Sequence, residues 1–200
     1  MILKRVFDVA MSLIGLVLLF PIFIVIAIAI KIDSRGPVFF RQVRVGQYQK
    51  EFSIFKFRTM SHVQDGAGSL ITVGNDVRIS RVGRLLRKYK LDELAQLIDV
   101  LRGTMSLVGP RPEVPDYVKY YPSDAKSRVF SVKPGITDWA SIEFKDENLL
   151  LEKAADPRDE YIQKIIPIKV KYFEAYVAER TFVIDLKIIY RTFLAIVKRN

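Results

Sequence analysis

The most chemically loaded stretch of the chain is "KLDELAQLIDVLRG", residues 90–103, where Asp92 and Glu93 stand side by side directly after the basic run "RISRVGRLLRKY". Acidic residues in a helix's first turn are ordinarily stabilisers, because free backbone N–H groups and the helix dipole favour negative charge there. The preceding cations add a second consequence. They are expected to hold both carboxylates ionised, and a fixed, ionised carboxylate serves as a nucleophile or a magnesium ligand.

Further cations have positions that chemistry could use. Lys56 and Arg58 in "KEFSIFKFRTM" are two apart, on one face of a strand, where they would either grip one anion or form an exposed polar face. Arg84, Arg87 and Lys88 share a side of a helix. In "SLVGPRPEVP", Pro110 fixes its own φ and Pro112 pushes Arg111 toward an extended conformation. That bracket is either a rigid surface turn or a pre-ordered arginine suited to bidentate phosphate recognition.

Composition removes several alternatives. With no cysteine, disulfides, thiolate metal sites and cysteine nucleophiles are excluded, and the single His62, in a loop-like context, reads as a solvated loop residue. The Gly-rich "DGAGSLITVGND", residues 65–76, matches neither phosphate-loop pattern. The formal charge of +10 is concentrated: residues 31–111 carry 15 Lys or Arg against 7 Asp or Glu, whereas residues 112–200 carry 15 against 14. A patch of that kind attracts nucleic acid, an anionic membrane surface or a small phosphorylated substrate.

The elements that must position these residues follow from the pattern. "GPVFFRQVRVG" and "KEFSIFKFRTM" read as a β-hairpin across Gly-Gln-Tyr-Gln. Ser80 can cap a helix running to about Tyr89, and Leu91, Leu94, Leu97, Ile98 and Leu101 form the stripe of a second helix that stops at Gly103. Residues 9–30 carry no charge and would make a rod of roughly 33 Å, enough to cross a bilayer. Pro21 bends that rod, so it either spans or turns back to the face it entered from. Near the C-terminus Phe182, Leu186, Ile189, Phe193, Ile196 and Val197 make a stripe that fits a core helix or, with Arg191, Lys198 and Arg199 for headgroups, an interfacial one.

Taken together, "KRVFD" before an apolar segment with a central proline, "GPVFFRQVRVG", "FKFRTM", "LRKYKLDELAQLIDVLRGTMSLVGPRPE", "VKPGIT" and the late "DLKII" resemble the bacterial sugar transferase family, the monotopic phosphoglycosyl transferases. The resemblance covers nearly the whole chain, in the family's order. It departs at Phe20-Pro21, where Ser-Pro is common, and at Asp138 and Trp139, where Gly commonly follows "PGIT".

The resemblance implies a mainly α fold with a small β-hairpin. Residues 1–32 would form a re-entrant helix-break-helix membrane hairpin with its break at Pro21, and residues 33–200 a compact cytosolic catalytic domain with amphipathic interfacial helices. It implies transfer of a sugar 1-phosphate from a UDP-sugar to polyprenyl (undecaprenyl) phosphate, with release of UMP, at the cytoplasmic face of the bacterial inner membrane. Asp92 would be the nucleophile, Asp92 and Glu93 would bind magnesium, and Lys56, Arg58, Arg87 and Arg111, with Pro110 and Pro112 stiffening the last, would bind substrate. Membrane lipids are expected partners and nucleic acid is not. The sugar, the pathway and the oligomeric state, dimer included, stay open. Two rivals stand beside this reading: a membrane-tethered basic module for nucleic acid or anionic lipid, and a single-displacement transferase in which Asp92 only binds metal.

Overall fold

The structure, a computed structural model, describes residues 2–61, 76–145 and 147–198; His62 and all of the Gly-rich stretch but Asp76 lie outside the described residues, as does Arg199. The chain begins with helix α1 (Ile2–Asp33) and continues into an antiparallel hairpin, β1 (Phe39–Val45) and β2 (Glu51–Phe57), with Phe39 opposite Phe57 and Val45 opposite Glu51. Helix α2 (Arg81–Lys88) is capped by the Ser80 side chain, which accepts from the Gly83 amide, as expected. A 3-10 turn (Leu91–Gln96) then runs into α3 (Leu97–Arg102), which ends at Gly103 with φ of 84°. After β3 (Ser106–Val108) come α4 (Pro115–Val118), α5 (Ser123–Val129), β4 (Gly135–Thr137), α6 (Trp139–Glu143), α7 (Glu147–Glu152), α8 (Pro157–Glu160), a π turn (Tyr161–Ile165), α9 (Ile166–Glu179) and α10 (Phe182–Val197).

Two local expectations need correction. The stripe at Leu91 predicts one α-helix, yet its first six residues wind as a 3-10 turn, and the fully buried positions are Asp92, Ala95, Gln96, Asp99 and Val100. The tighter turn changes the phase, and one of the polar side chains brought inward finds its partner on the hairpin: the Phe55 amide donates to Asp99 at 2.7 Å. The second correction concerns Pro21, which lies inside a continuous α1 rather than at a break. A helix-interior proline removes one backbone donor and leaves the flanking i→i−4 bonds in place.

Helix α1 is fastened to the rest of the molecule near both ends. At its start, Lys4 pairs with Asp185 of α10 at 2.6 Å, Arg5 donates to the carbonyls of Val100 and Leu101 at 2.7 and 3.1 Å, and Asp8 accepts from the Ser106 hydroxyl at 2.8 Å. Arg5 thereby adds donors to carbonyls in the last turn of α3. At the other end Ile26 and Ile30 are buried with Phe57, Leu86 and Ala95, and Asp33 accepts from the Val82 amide at 3.0 Å. Between these attachments one side of the helix still meets the body, where Ser12 is buried and Leu97 approaches Gly15, while the other is open, with Val17 and Leu18 exposed by 66% and 71%. Apolar surface of that extent calls for lipid rather than water. In α10 most of the stripe is exposed, Leu186, Phe193, Ile196 and Val197 among it, and the buried positions are Asp185 and Ile188, which lie off it, so the core-helix reading is corrected.

A second sheet, parallel β3–β4, was not anticipated from sequence; it aligns Ser106 with Gly135 and Val108 with Thr137. Its strands approach so closely that a Cβ on Gly135 would lie 2.1 Å from the Gly109 amide nitrogen. This contact sets where Pro110 begins, because the Gly135 amide donates to the Pro110 carbonyl at 3.0 Å. Gly135→Ala is therefore expected to cost about 1–3 kcal/mol through overpacking and to lower the unfolding midpoint of the detergent-solubilised protein. An unchanged midpoint would contradict the close approach.

Candidate active site

Four separate parts of the chain bring charge to one place. Strand β2 delivers Lys56, whose ammonium lies 3.1 Å from Glu93 Oε1. The Pro110–Pro112 segment delivers Arg111, whose Nη1 donates to Glu93 Oε2 at 2.9 Å while Nη2 contacts Oε1, a bidentate pair. The 3-10 turn supplies Asp92 and Glu93. The last turn of α2 supplies Arg87, which donates to the Thr59 hydroxyl at 2.9 Å and lies near enough for its charge to act on Asp92.

The two carboxylates live in opposite environments. Burial pushes Glu93 up, but the Arg111 and Lys56 charges outweigh it and hold the group well below the usual carboxylate range. For Asp92, burial and then the neighbouring Glu93 charge push the carboxyl up, against the pull of Lys56 and Arg87. The two neighbouring carboxyls are thus shifted in opposite directions. Lys56 and Arg111 are paired with Glu93, and Asp92 Oδ1 is buried with no hydrogen-bond partner.

Arg58 is a further correction. Arg58 extends the hairpin pairing by one step, its amide donating to the Val38 carbonyl at 2.9 Å, but its side chain does not join Lys56. Its guanidinium instead donates to the carbonyls of Arg35 and Ser34 at 2.5 and 2.7 Å, closing the C-terminal end of α1. Asp138, where the chain departs from the resemblance, caps α6 by accepting from the Ser141 amide at 2.8 Å, and Trp139 packs in the cluster of Val108, Tyr176 and Ile188.

Sequence reasoning missed Arg44, which donates to the Pro112 carbonyl at 3.1 Å, and the buried Glu113 and Tyr161 behind it. The available signal for Arg44 was strand alternation in "FRQVRVG", which puts it on a face with Gln42, its partner at 2.7 Å.

Magnesium can be weighed against the donor set. Among the described residues no group of three or more His, Cys, Asp or Glu could hold a metal ion by itself. The orphaned Asp92 oxygen is a hard ligand of the kind magnesium takes, and Glu93 would join it by sharing an oxygen with Arg111 or Lys56, one or two carboxylates being completed by substrate phosphate oxygens and water. The residues fit that mode of binding.

A small helical domain with a buried carboxylate–cation cluster and a long uncovered apolar helix is thus the class that fold and site define. The bacterial sugar transferase family matches residues 1–199, and the chain belongs to it. It is 46% identical over 144 residues to an uncharacterized sugar transferase of Bacillus subtilis, covering 71% of this chain and 69% of that one. It is 38% identical over 195 residues to the UDP-glucose:undecaprenyl-phosphate glucose-1-phosphate transferase of Klebsiella pneumoniae, 96% of this chain but 39% of that one. It is also 33% identical over 192 residues to an Aeromonas hydrophila enzyme named for undecaprenyl-phosphate N-acetylgalactosaminephosphotransferase activity, 95% of this chain and 42% of that one.

In metal-free protein carrying ¹³C-labelled carboxyls, Asp92 is expected to titrate above the ordinary aspartate range and Glu93 below the ordinary glutamate range. Glu93→Gln removes a negative neighbour and should bring Asp92 down. Finding the order of the two carboxyls reversed would refute this account of the site.

Proposed function

We propose that the protein transfers a sugar 1-phosphate from a UDP-sugar to undecaprenyl phosphate by double displacement, with Asp92 as the nucleophile. The observation that carries this reading is the buried, unpartnered Asp92 Oδ1 beside a Glu93 already clamped by two cations. A carboxylate stripped of water and hydrogen bonds is a stronger nucleophile than a solvated one, and an arriving electrophile satisfies it.

Asp92 Oδ1 attacks the sugar-linked phosphorus of the donor, the bond from that phosphorus to the bridging oxygen breaks, and UMP leaves with the oxygen. The sugar phosphate is now an acyl phosphate on Asp92. An oxygen of the lipid phosphate then attacks the same phosphorus, and the bond to Asp92 breaks, restoring the carboxylate. Lys56, Arg87 and Arg111 offset the negative charge that gathers in both steps. Magnesium held by Asp92 and Glu93 with the donor's phosphate oxygens would neutralise the diphosphate further. The relatives' names support the reaction class, since they pair a UDP-sugar with undecaprenyl phosphate, and they differ in the sugar.

With UDP-sugar and magnesium but no lipid acceptor, the protein is expected to release up to one UMP per site and to gain the mass of a phosphosugar, while Asp92→Asn does neither. Arg111→Ala should slow the release on the order of a thousandfold. Normal lipid-linked product from Asp92→Asn would remove Asp92 as nucleophile, and product formation without acceptor-independent UMP release would favour single displacement. Salt-sensitive retention of RNA or DNA that ignores Asp92→Asn would favour a binding module.

For the membrane, we propose that α1 lies along the cytoplasmic face of the inner membrane without crossing it. A helix with both ends fastened to one globular body, Lys4 and Arg5 at one and Ile30 and Asp33 at the other, supports that reading. The lipid acceptor's phosphate lies at that same boundary. The chain has no cysteine, so single labels report cleanly. Leu3→Cys and Ile32→Cys should both react with an impermeant maleimide in inside-out vesicles and neither in intact spheroplasts; labelling of the two from opposite sides would establish a span.

A further inference from the structure

We infer that Tyr161 is a positioning residue for Arg111, acting through Glu113 and the backbone of the Pro110–Glu113 segment. The inference rests on the reading above, in which Arg111 meets the donor's phosphates.

An arginine that must meet a phosphate within a few tenths of an ångström needs a backbone that does not move. Two prolines stiffen the segment, but stiffness alone does not fix where it sits. Three bonds do: Gly135 donates to the Pro110 carbonyl at 3.0 Å, Arg44 to the Pro112 carbonyl at 3.1 Å, and the Val45 amide to the Glu113 carbonyl at 2.9 Å. The first comes from β4 and the other two from β1, so the segment is held on both sides.

The Glu113 side chain determines whether Arg44 can keep its share of that work. It is buried, and its Oε1 accepts from the Val114 amide at 2.9 Å and, at 3.4 Å, from the same Arg44 nitrogen that holds Pro112. Its Oε2 depends on the Tyr161 hydroxyl at 2.5 Å. The direction of that bond is fixed from behind. Lys169 has only donors and gives one to the phenol oxygen at 3.3 Å, which leaves the phenol hydrogen for Glu113.

The sequence of Tyr161's own element supports a purpose for the hydroxyl. It opens the π turn Tyr161–Ile165, a wide turn that is rare and costly in isolation. Its ring packs edge-on to Tyr117, with centroids 4.9 Å apart, in a cluster with Val114, Phe130 and Ile165 that a phenylalanine would fill equally well. Removing the oxygen therefore leaves packing intact and orphans a buried carboxylate oxygen. That oxygen would recruit Arg44 away from Pro112, and the Arg111 backbone would lose one of its three fixed points.

The test is a double-mutant cycle of Tyr161→Phe and Arg111→Lys, read as the rate of acceptor-independent UMP release and as hydrogen exchange at the Val45 and Val114 amides. Tyr161→Phe is expected to slow release about tenfold or more while changing UDP-sugar affinity by less than about threefold. The slowing should vanish in the Arg111→Lys background, and the two amides should exchange faster. Lys169→Met should shift the same quantities in the same direction, by less, and serves if Tyr161→Phe folds poorly. An equal loss in both backgrounds, or native release and exchange in Tyr161→Phe, would overturn the inference. If the native protein releases no UMP, the reaction assigned above has failed, and amide exchange alone still decides whether Tyr161 holds the segment.

Discussion

Glu93 takes two cations at once from parts of the chain that have no other reason to meet. Lys56 comes from the second strand of the hairpin and Arg111 from the segment after β3, and both converge on one carboxylate. Uncompensated, each of these partly buried charges would be costly. The triad therefore works as a joint: it specifies how the hairpin, the 3-10 turn and the Pro110–Pro112 segment sit together. It also leaves its sequence neighbour without a cationic partner of its own, and the chemistry proposed for Asp92 depends on that asymmetry.

The membrane attachment obeys a similar constraint. Helix α1 presents an apolar middle that protein covers only in part, so it cannot be stable as a free rod in water. Its polar contacts sit at the ends: Lys4 with Asp185, Arg5 with the carbonyls of Val100 and Leu101, and Asp8 with Ser106. The Arg5 and Asp8 contacts reach α3 and the start of β3, the elements on either side of the loop that leads from the carboxylates to Arg111. The long apolar helix is thus joined directly to the frame of the site.

Much of this was legible in sequence because it rests on local chemistry. Ser80 as a cap, Gly103 as a stop and the hairpin around residues 46–50 each follow from what one or two residues can do with the backbone. The adjacency of Asp92 and Glu93 and the stiffening of Arg111 were equally visible. Illegible were the features set by partners distant in sequence. Arg58 was misassigned because its true partners, the carbonyls at Ser34 and Arg35, belong to the end of another element. The β3–β4 pair was missed because three-residue strands carry no period to detect. Arg44 and Tyr161 were missed because a lone arginine in a strand and a lone tyrosine after a short helix have no spacing that announces a buried carboxylate between them.

Why Asp92 rather than Glu93 should carry the covalent step follows from the same electrostatics. Two adjacent carboxylates with opposite shifts are suited to different work, since the one held low is already stabilised as an anion and gains little by forming a bond. Glu93, with both oxygens occupied by guanidinium and ammonium, would have to abandon those partners to attack phosphorus. Asp92 abandons nothing at Oδ1, and burial has already raised the energy of its anion. In the 3-10 turn, with about three residues per turn, successive side chains point roughly 120° apart, so one carboxylate can face the cations while the other faces the place where they leave room for a phosphate.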